Sequence, residues 1–282
     1  MSDSRITGIV HTKNESEYIA QAVRSLLRFA DEVLVADMES TDDTVEIALS
    51  LGARVIRVPD FGFVEPARAR AVQAASFDWI FILDADEVVP PTLGRKIVEI
   101  AAEDAVDVVL IPRVNYMFGR AIRHTGWGPG SDQHAQFFRR GSVQFSELIH
   151  ASVGVSDTAV VLTLPIMDEF SIYHFNYSDW SDFVARMNRY TSVEADQRSN
   201  GSRPSFVRTG LVCVLEFVRR YFLKSGYRDG YEGLVLSSLM VTYRLLTYAK
   251  SRQLAERGSD ADIRRAYRAL ARSIEGEDAA SE

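Results

Sequence analysis

Asp78-Trp79-Ile80-Phe81-Ile82-Leu83-Asp84-Ala85-Asp86-Glu87-Val88-Val89-Pro90-Pro91 is an apolar run that ends abruptly in three nearby carboxylates. Trp79 to Leu83 is too short for a helix and does not alternate, so it reads as a strand buried on both faces. Asp84, Asp86 and Glu87 then stand at its carboxyl end, the edge that borders the ligand crevice of an open α/β sheet. Carboxylates crowded this closely repel one another unless a cation or a positive partner neutralises them. A Mg²⁺ or Mn²⁺ ion, held by one or two carboxylates plus the phosphates of a substrate, would do so. A solvated turn is the competing reading, since Asp is common after strands and Pro90-Pro91-Thr92 would open a helix whose first turn favours acids. Asp-x-Asp alone leaves both readings open, and the strands that precede it decide.

Ile6 to His11 reads as a first strand, followed by a helix opened by Asn14-Glu15-Ser16 that carries Ile19, Ala22, Val23, Leu26 and Leu27 at helical spacing. Glu32 to Ala36 is a second strand, Asp37 to Thr44 its polar exit, and Gly52 the stop of the helix behind it. Arg54 to Val58, Ala67 to Ala75 and Trp79 to Leu83 continue as strand, helix and strand. This β-α repeat predicts a mostly parallel sheet covered by helices. Thr12, Lys13 and Asn14 follow the first strand, Asp37 and Glu39 the second, Asp84 and Asp86 the fourth. Parallel strands put those ends on one edge, which points to a nucleotide-type ligand. Ser40-Thr41-Asp42 also suits a helix N-cap, so Asp37, lying before it, is the more diagnostic residue. No G-x-G-x-x-G follows the first strand and no Gly-rich Lys-Ser/Thr loop occurs, which disfavours a dinucleotide oxidoreductase or a phosphate-loop ATPase.

With 282 residues, 46% hydrophobic and 25% charged, the chain has the composition of a soluble globular protein able to bury a substantial core. Its formal charge of −7 argues against nucleic acid as a partner. Lone Cys213 excludes an intrachain disulfide framework and a cysteine zinc cluster, which fits a reducing cytoplasm. The sequence shows no apolar signal segment and no run of eighteen apolar residues, so neither secretion nor a membrane span is expected.

T-K-N-E-S-E-Y-I, V-L-V-A-D-M-E-S-T-D-D-T-V and D-W-I-F-I-L-D-A-D-E together resemble the nucleotide-binding half of family-2 glycosyltransferases with the GT-A fold. G-W-G-P, F-F-R-R-G, Y-H-F-N-Y-S-D, M-N-R-Y-T and G-Y-R-D-G-Y-E-G-L extend the resemblance, from about Arg5 to Lys250, toward the subgroup that adds sugars to lipopolysaccharide core and related surface glycans. The resemblance implies an α/β GT-A fold, a mostly parallel Rossmann-like sheet with a mixed extension, followed by a C-terminal helical region. It implies an inverting, metal-dependent hexosyltransferase that moves a sugar from a nucleotide sugar, with UDP favoured, through a diphosphate leaving group whose charge a metal neutralises. Carried over to this chain, Thr12, Asn14, Glu15, Asp37, Glu39 and Arg68 would bind the donor, with Asp37 facing the base. Asp84 would approach ribose and metal, Asp86 would bind the metal, and His174 would reach metal or diphosphate. The acceptor would be a surface glycan or its lipid-linked precursor, met in the cytoplasm at the inner face of the cell membrane.

Residues 1–112 would form the nucleotide-sugar half, 113–178 an acceptor-side extension, 179–274 a helical region and 275–282 a disordered tail. In the extension, Val106 to Pro112, Gln136 to Phe138 and Val143 to Phe145 read as strands, the first followed by a stretch rich in Gly, aromatic and basic residues from Arg113 to Gly130. Trp127 suits either sugar stacking or a core anchor. Three departures from the resembled pattern stand out. Ala151 replaces the Glu expected after His150 as the acceptor's base, which leaves Asp132, Glu147 and His150 as base candidates. Gln136 stands where Arg is usual, and Ala69 where Asn is usual beside retained Arg68.

The last third reads as helices over Phe183–Gln197, Phe206–Leu223, Leu234–Gln253 and a short one over Ala261–Ile274. Between Phe206 and Arg252 it is basic, with aromatic and apolar residues interleaved, which suits either docking on an anionic membrane or a helical hairpin packed on the sheet or in a homodimer. Two rival functions remain. A nucleotidyltransferase also uses paired carboxylates but normally opens with a Gly-rich basic loop, absent here, and a non-catalytic sugar-nucleotide-binding protein is motivated by Ala151.

Overall fold

A computed structural model describes residues 3–60, 64–145, 154–198 and 205–278. The chain divides into two units, Met1–Ser178 and Asp179–Glu282.

The first unit opens with β1 (Ile6–Thr12), α1 (Ile19–Leu26), β2 (Glu32–Asp37), α2 (Thr44–Ser50), β3 (Arg54–Arg57), α3 (Glu65–Ala74) and β4 (Trp79–Asp84). β1 lies between β2 and β4 and is parallel to both, and β3 is parallel to β2, so the order is β3-β2-β1-β4. Connections run outward one way from β1 to β3 and the other way to β4. This makes the gap between β1 and β4 a topological switch point, where open α/β sheets bind ligands.

The apolar character of β4 follows from its position. Trp79, Phe81 and Leu83 enter one core with α1, while Ile80 and Ile82 enter the opposite core with Ala67 and Ala71 of α3, so neither face meets water. Burying each such side chain contributes about 1.5–3 kcal/mol, which fixes the register of a strand this short.

β5 (Glu87–Val88), α4 (Pro91–Glu103), β6 (Val108–Met117), β7 (Arg120–Ala121), β8 (Gln133–Arg139), β9 (Val143–Gln144), β10 (Gly154–Val155), β11 (Val161–Thr163) and β12 (Ile172–Tyr177) complete the unit. Antiparallel β8 joins β4 to β6, and the path ends β8-β6-β12-β5, a mixed extension of the parallel half. The strand expected to end at Pro112 instead continues through Arg113 to Met117. Arg113 and Asn115 interrupt the apolar pattern because they serve an internal polar network, while β12, from Ile172 to Tyr177, pairs with this half of the strand in parallel.

The second unit contains α5 (Trp180–Arg198), α6 (Phe206–Phe217), a π-helical continuation over Val218–Leu223, α7 (Gly230–Arg257) and α8 (Asp260–Asp278). The last helix is not short, and it runs through Glu275 to Asp278, the start of the stretch expected to be disordered. Adding residues to an existing helix costs far less than nucleating one, and Glu275 and Glu277 are good helix formers. Residues 279–282 lie outside the described residues. No helix among the described residues is long and apolar enough to cross a membrane.

Candidate functional site

Register places the strand-end residues side by side: Thr12 beside Asp37 across β1 and β2, and His11 beside Asp84 across β1 and β4. The sequence-expected cluster of Thr12, Asp37 and Asp84 therefore lies along one edge at the switch point. The loops behind it brace each other. Asn14 donates its backbone N–H to Ser40 Oγ at 2.9 Å and its Oδ1 accepts the Thr41 N–H at 2.8 Å, while the Glu15 N–H donates to Thr44 Oγ1 at 2.8 Å. Asn14 and Glu39 both adopt left-handed backbone, with φ of 54° and 60°. Such geometry suits Asn and strains Glu. The turn at Glu39 folds the Ser40 N–H back onto the Asp37 carboxylate, at 3.2 and 3.3 Å from its two oxygens.

Arg68, reaching from α3, places Nη2 at 3.3 Å from both oxygens of Asp84. Burial alone would raise the Asp84 pKa, but Arg68, followed by His11 and Arg113, brings it down to about 2. His11 is buried, and both its ring nitrogens lack a hydrogen-bond partner among the described residues. Burial, and then the Arg68 charge, hold it near pKa 3 against the pull of Asp84, so it is neutral in the folded protein at physiological pH.

After Asp84 the chain turns through Ala85 and Asp86 into β5, which pairs antiparallel with β12 and sets Glu87 opposite His174. Asp86 accepts the Phe175 backbone N–H at 2.9 Å through its carbonyl, and its side-chain Oδ2 lies 3.2 Å from His174 Nε2. The His174 tautomer follows from its neighbour. Asn115 Nδ2 lies 2.7 Å from the Trp127 carbonyl and 2.6 Å from Asp132 Oδ2, both acceptors, so Asn115 Oδ1 must face His174 Nδ1, at 2.7 Å, and Nδ1 carries a proton. Burial disfavours the imidazolium, but the hydrogen bond and the charge of Asp86, with the charge of Glu87, together raise the His174 pKa. If a divalent cation took the place of the Nε2 proton, it would meet one imidazole lone pair and one carboxylate, with the outer ring nitrogen already anchored.

No group of three or more His, Cys, Asp or Glu among the described residues converges as a closed metal cage. Two protein ligands suffice for a metal that is held mainly by substrate phosphates. Asp86 and His174 fit that role, whereas Asp84, the third expected ligand, is turned to Arg68.

Glu87, one of the three crowded carboxylates of the sequence, is joined to Asp132 by Arg113, which with Asn115 and His134 had no role there. Fully buried Glu87 accepts the Asp84 backbone N–H and Gln136 Nε2, each at 3.0 Å, and pairs with Arg113 Nη1 at 2.8 Å. Arg113 in turn forks onto Asp132 through Nε at 2.9 Å and Nη2 at 3.1 Å. Burial would weaken the Arg113 charge, and the two carboxylates more than restore it. Asp132, a base candidate, also bonds Asn115 and His134, and its carboxyl is held well below the usual carboxylate range because His134 and Arg113 overcome its burial. The other two base candidates, Glu147 and His150, lie outside the described residues, as does Ala151. Trp127 is half-buried, with its backbone pinned through Asn115. A Cβ on the following Gly128 would fall 1.9 Å from the Arg123 carbonyl oxygen, so this turn requires glycine.

An α/β unit with acidic strand ends at its switch point and a mixed extension behind them has a GT-A-like fold. The glycosyl transferase family 2 model matches residues 8–160, and the chain belongs to that family. It is similar to an uncharacterized glycosyltransferase of Rickettsia bellii, 29% identical over 89% of this chain and 87% of the relative, and to one of Rickettsia typhi, 28% identical over 89% and 88%. Among solved structures it is similar to S. aureus TarS 1-349 in complex with UDP, at 16% identity and TM-score 0.48 over 89% of this chain and 90% of that one.

Proposed function

We propose that this glycosyltransferase takes its sugar from a UDP-sugar, uses a divalent metal and inverts the transferred centre. Its acceptor is a surface glycan or lipid-linked precursor of the lipopolysaccharide-core kind, met at the inner face of the cell membrane. The observation that carries the donor reading is the register pairing of Thr12 with Asp37 and of His11 with Asp84, which lines up polar and acidic residues along the strand ends beside the switch point of a family-2 domain. Asp37, Thr12, Asn14, Glu15 and Glu39 would hold base and ribose, and Arg68 would carry charge toward the diphosphate while restraining Asp84. Asp86 and His174 would hold the metal, which supplies Lewis-acid stabilisation of the departing diphosphate.

The acceptor's base is proposed among Asp132, Glu147 and His150. Asp132 is ionised but already engaged by Arg113, Asn115 and His134, which favours the other two. The same engagement, with Ala151, supports a second reading, a protein that binds sugar nucleotides without transferring them. Purified protein incubated with UDP-sugars and Mn²⁺ separates the two. A transferase lacking acceptor releases UDP slowly by hydrolysis, and Asp86→Ala abolishes that release. Tight donor binding with no release under any divalent metal would leave only the binding reading.

A further inference from the structure

Helix α6 is built inside out. Its buried line consists of Cys213 and Glu216, with half-buried Thr209 and Arg220 in the same row. Glu216 pairs with Arg220 at 2.5 Å and with Arg244 of α7 at 3.4 Å, and Cys213 faces the Val241 carbonyl. Its outward line is apolar: Val207, Leu211, Val214, Val218 and Phe222, at steps of four, three, four and four, are between 37% and 79% exposed. Side chains at these steps share one face of a helix, here a stripe about 23 Å long. The π-helical end, marked by the Lys224 N–H bonding the Arg219 carbonyl at 2.8 Å, prolongs the stripe to Leu223, 77% exposed. A soluble monomer rarely leaves so continuous an apolar tract in water.

We infer that this face of α6 lies in the headgroup layer of an anionic phospholipid bilayer, with the helix parallel to the membrane plane. Charge selects this occupant over a second copy of the chain. Within residues 205–228 the basic side chains are Arg208, Arg219, Arg220, Lys224 and Arg228, in a protein of net charge −7, and the lone acid of that segment, Glu216, is turned inward. Arg208, Arg219 and Arg228 are exposed. A two-fold dimer through this face would set arginines against arginines, whereas anionic headgroups complement them. Apolar residues flanked by arginines on a helix that cannot span a membrane make an interfacial helix. The inference does not rest on the sugar-transfer reading, and UDP binding serves as an independent check on each variant.

Co-sedimentation of the full-length protein with vesicles of phosphatidylcholine, alone or mixed with phosphatidylglycerol, tests it at low and high salt. The wild type is expected to bind the mixed vesicles and to release in high salt. Val207→Glu/Leu211→Glu/Val214→Glu, all at exposed positions, is expected to weaken binding on the order of 100-fold with helical content unchanged. Arg208→Gln/Arg219→Gln leaves the apolar stripe in place and is expected to weaken binding to the mixed vesicles roughly 30-fold at low salt. Absence of wild-type binding overturns the inference, as does wild-type binding by both variants. Loss of binding with Leu270→Glu in α8 but not with the α6 variants also overturns it, and so does a dimer in solution that the triple variant dissolves.

Discussion

Glu87→Gln tests the polar network behind the acidic turn. Glu87 is fully buried, with one carboxylate oxygen accepting two N–H donors at 3.0 Å, from Asp84 and Gln136, and the other facing Arg113 Nη1 at 2.8 Å. A glutamine keeps the shape but has one acceptor oxygen. In one orientation its NH₂ faces Arg113, and in the other it faces the Asp84 and Gln136 donors. Either way donors oppose donors, and Arg113 loses one of its two counter-charges. Removing one partner of a buried ion pair costs about 3–5 kcal/mol. Because Asp132 still holds Arg113, the lower end applies, about 3 kcal/mol, or a fall in melting temperature of about 6–12 °C for a domain of this size. Thermal unfolding followed by circular dichroism measures it, and adding Gln136→Leu, which removes one of the opposed donors, should recover part of the loss. A melting temperature within about 2 °C of wild type would refute the assignment of Glu87 as the hub of this network.

His11 makes the fold acid-sensitive. Its folded pKa near 3 lies below the unfolded value of 6.5, so below pH 6.5 the unfolded state binds the extra proton and stability falls as pH drops toward 3, while above 6.5 this site has no effect. His11→Gln should flatten that limb of the stability curve in urea titrations across the range, and an unchanged slope would show that His11 is not buried neutral. Asn115→Leu removes the acceptor that fixes His174 Nδ1–H and should weaken Mn²⁺ affinity by about 10–100-fold in calorimetric titrations with UDP present. Unaltered Mn²⁺ affinity would separate Asn115 from the metal.

Much of the donor half was legible because its physics is local. β4 had to be apolar throughout, since Trp79, Phe81 and Leu83 fill one core and Ile80 and Ile82 the other. The β-α alternation then forced Thr12, Asp37 and Asp84 onto one edge. What escaped depends on distant partners. Glu87 reads as a solvated acid in a turn until Arg113 and Gln136 close around it. Arg113 and Asn115 broke the apolar pattern of β6, so the strand was read as ending at Pro112. The helical third left membrane docking and a packed hairpin both open, because apolar residues at helical spacing suit either, and only the burial shows that α6 turns Glu216 inward and Leu211 and Val214 outward.

Calorimetric titration of UDP into the protein with and without Mn²⁺ tests most directly whether the acidic strand ends form a nucleotide-metal site. Mn²⁺-dependent binding by the wild type is expected, with loss of the metal-dependent gain in Asp86→Ala and weakened binding with or without metal in Asp37→Ala. UDP binding by Asp86→Ala with the wild-type dependence on Mn²⁺ would contradict that assignment.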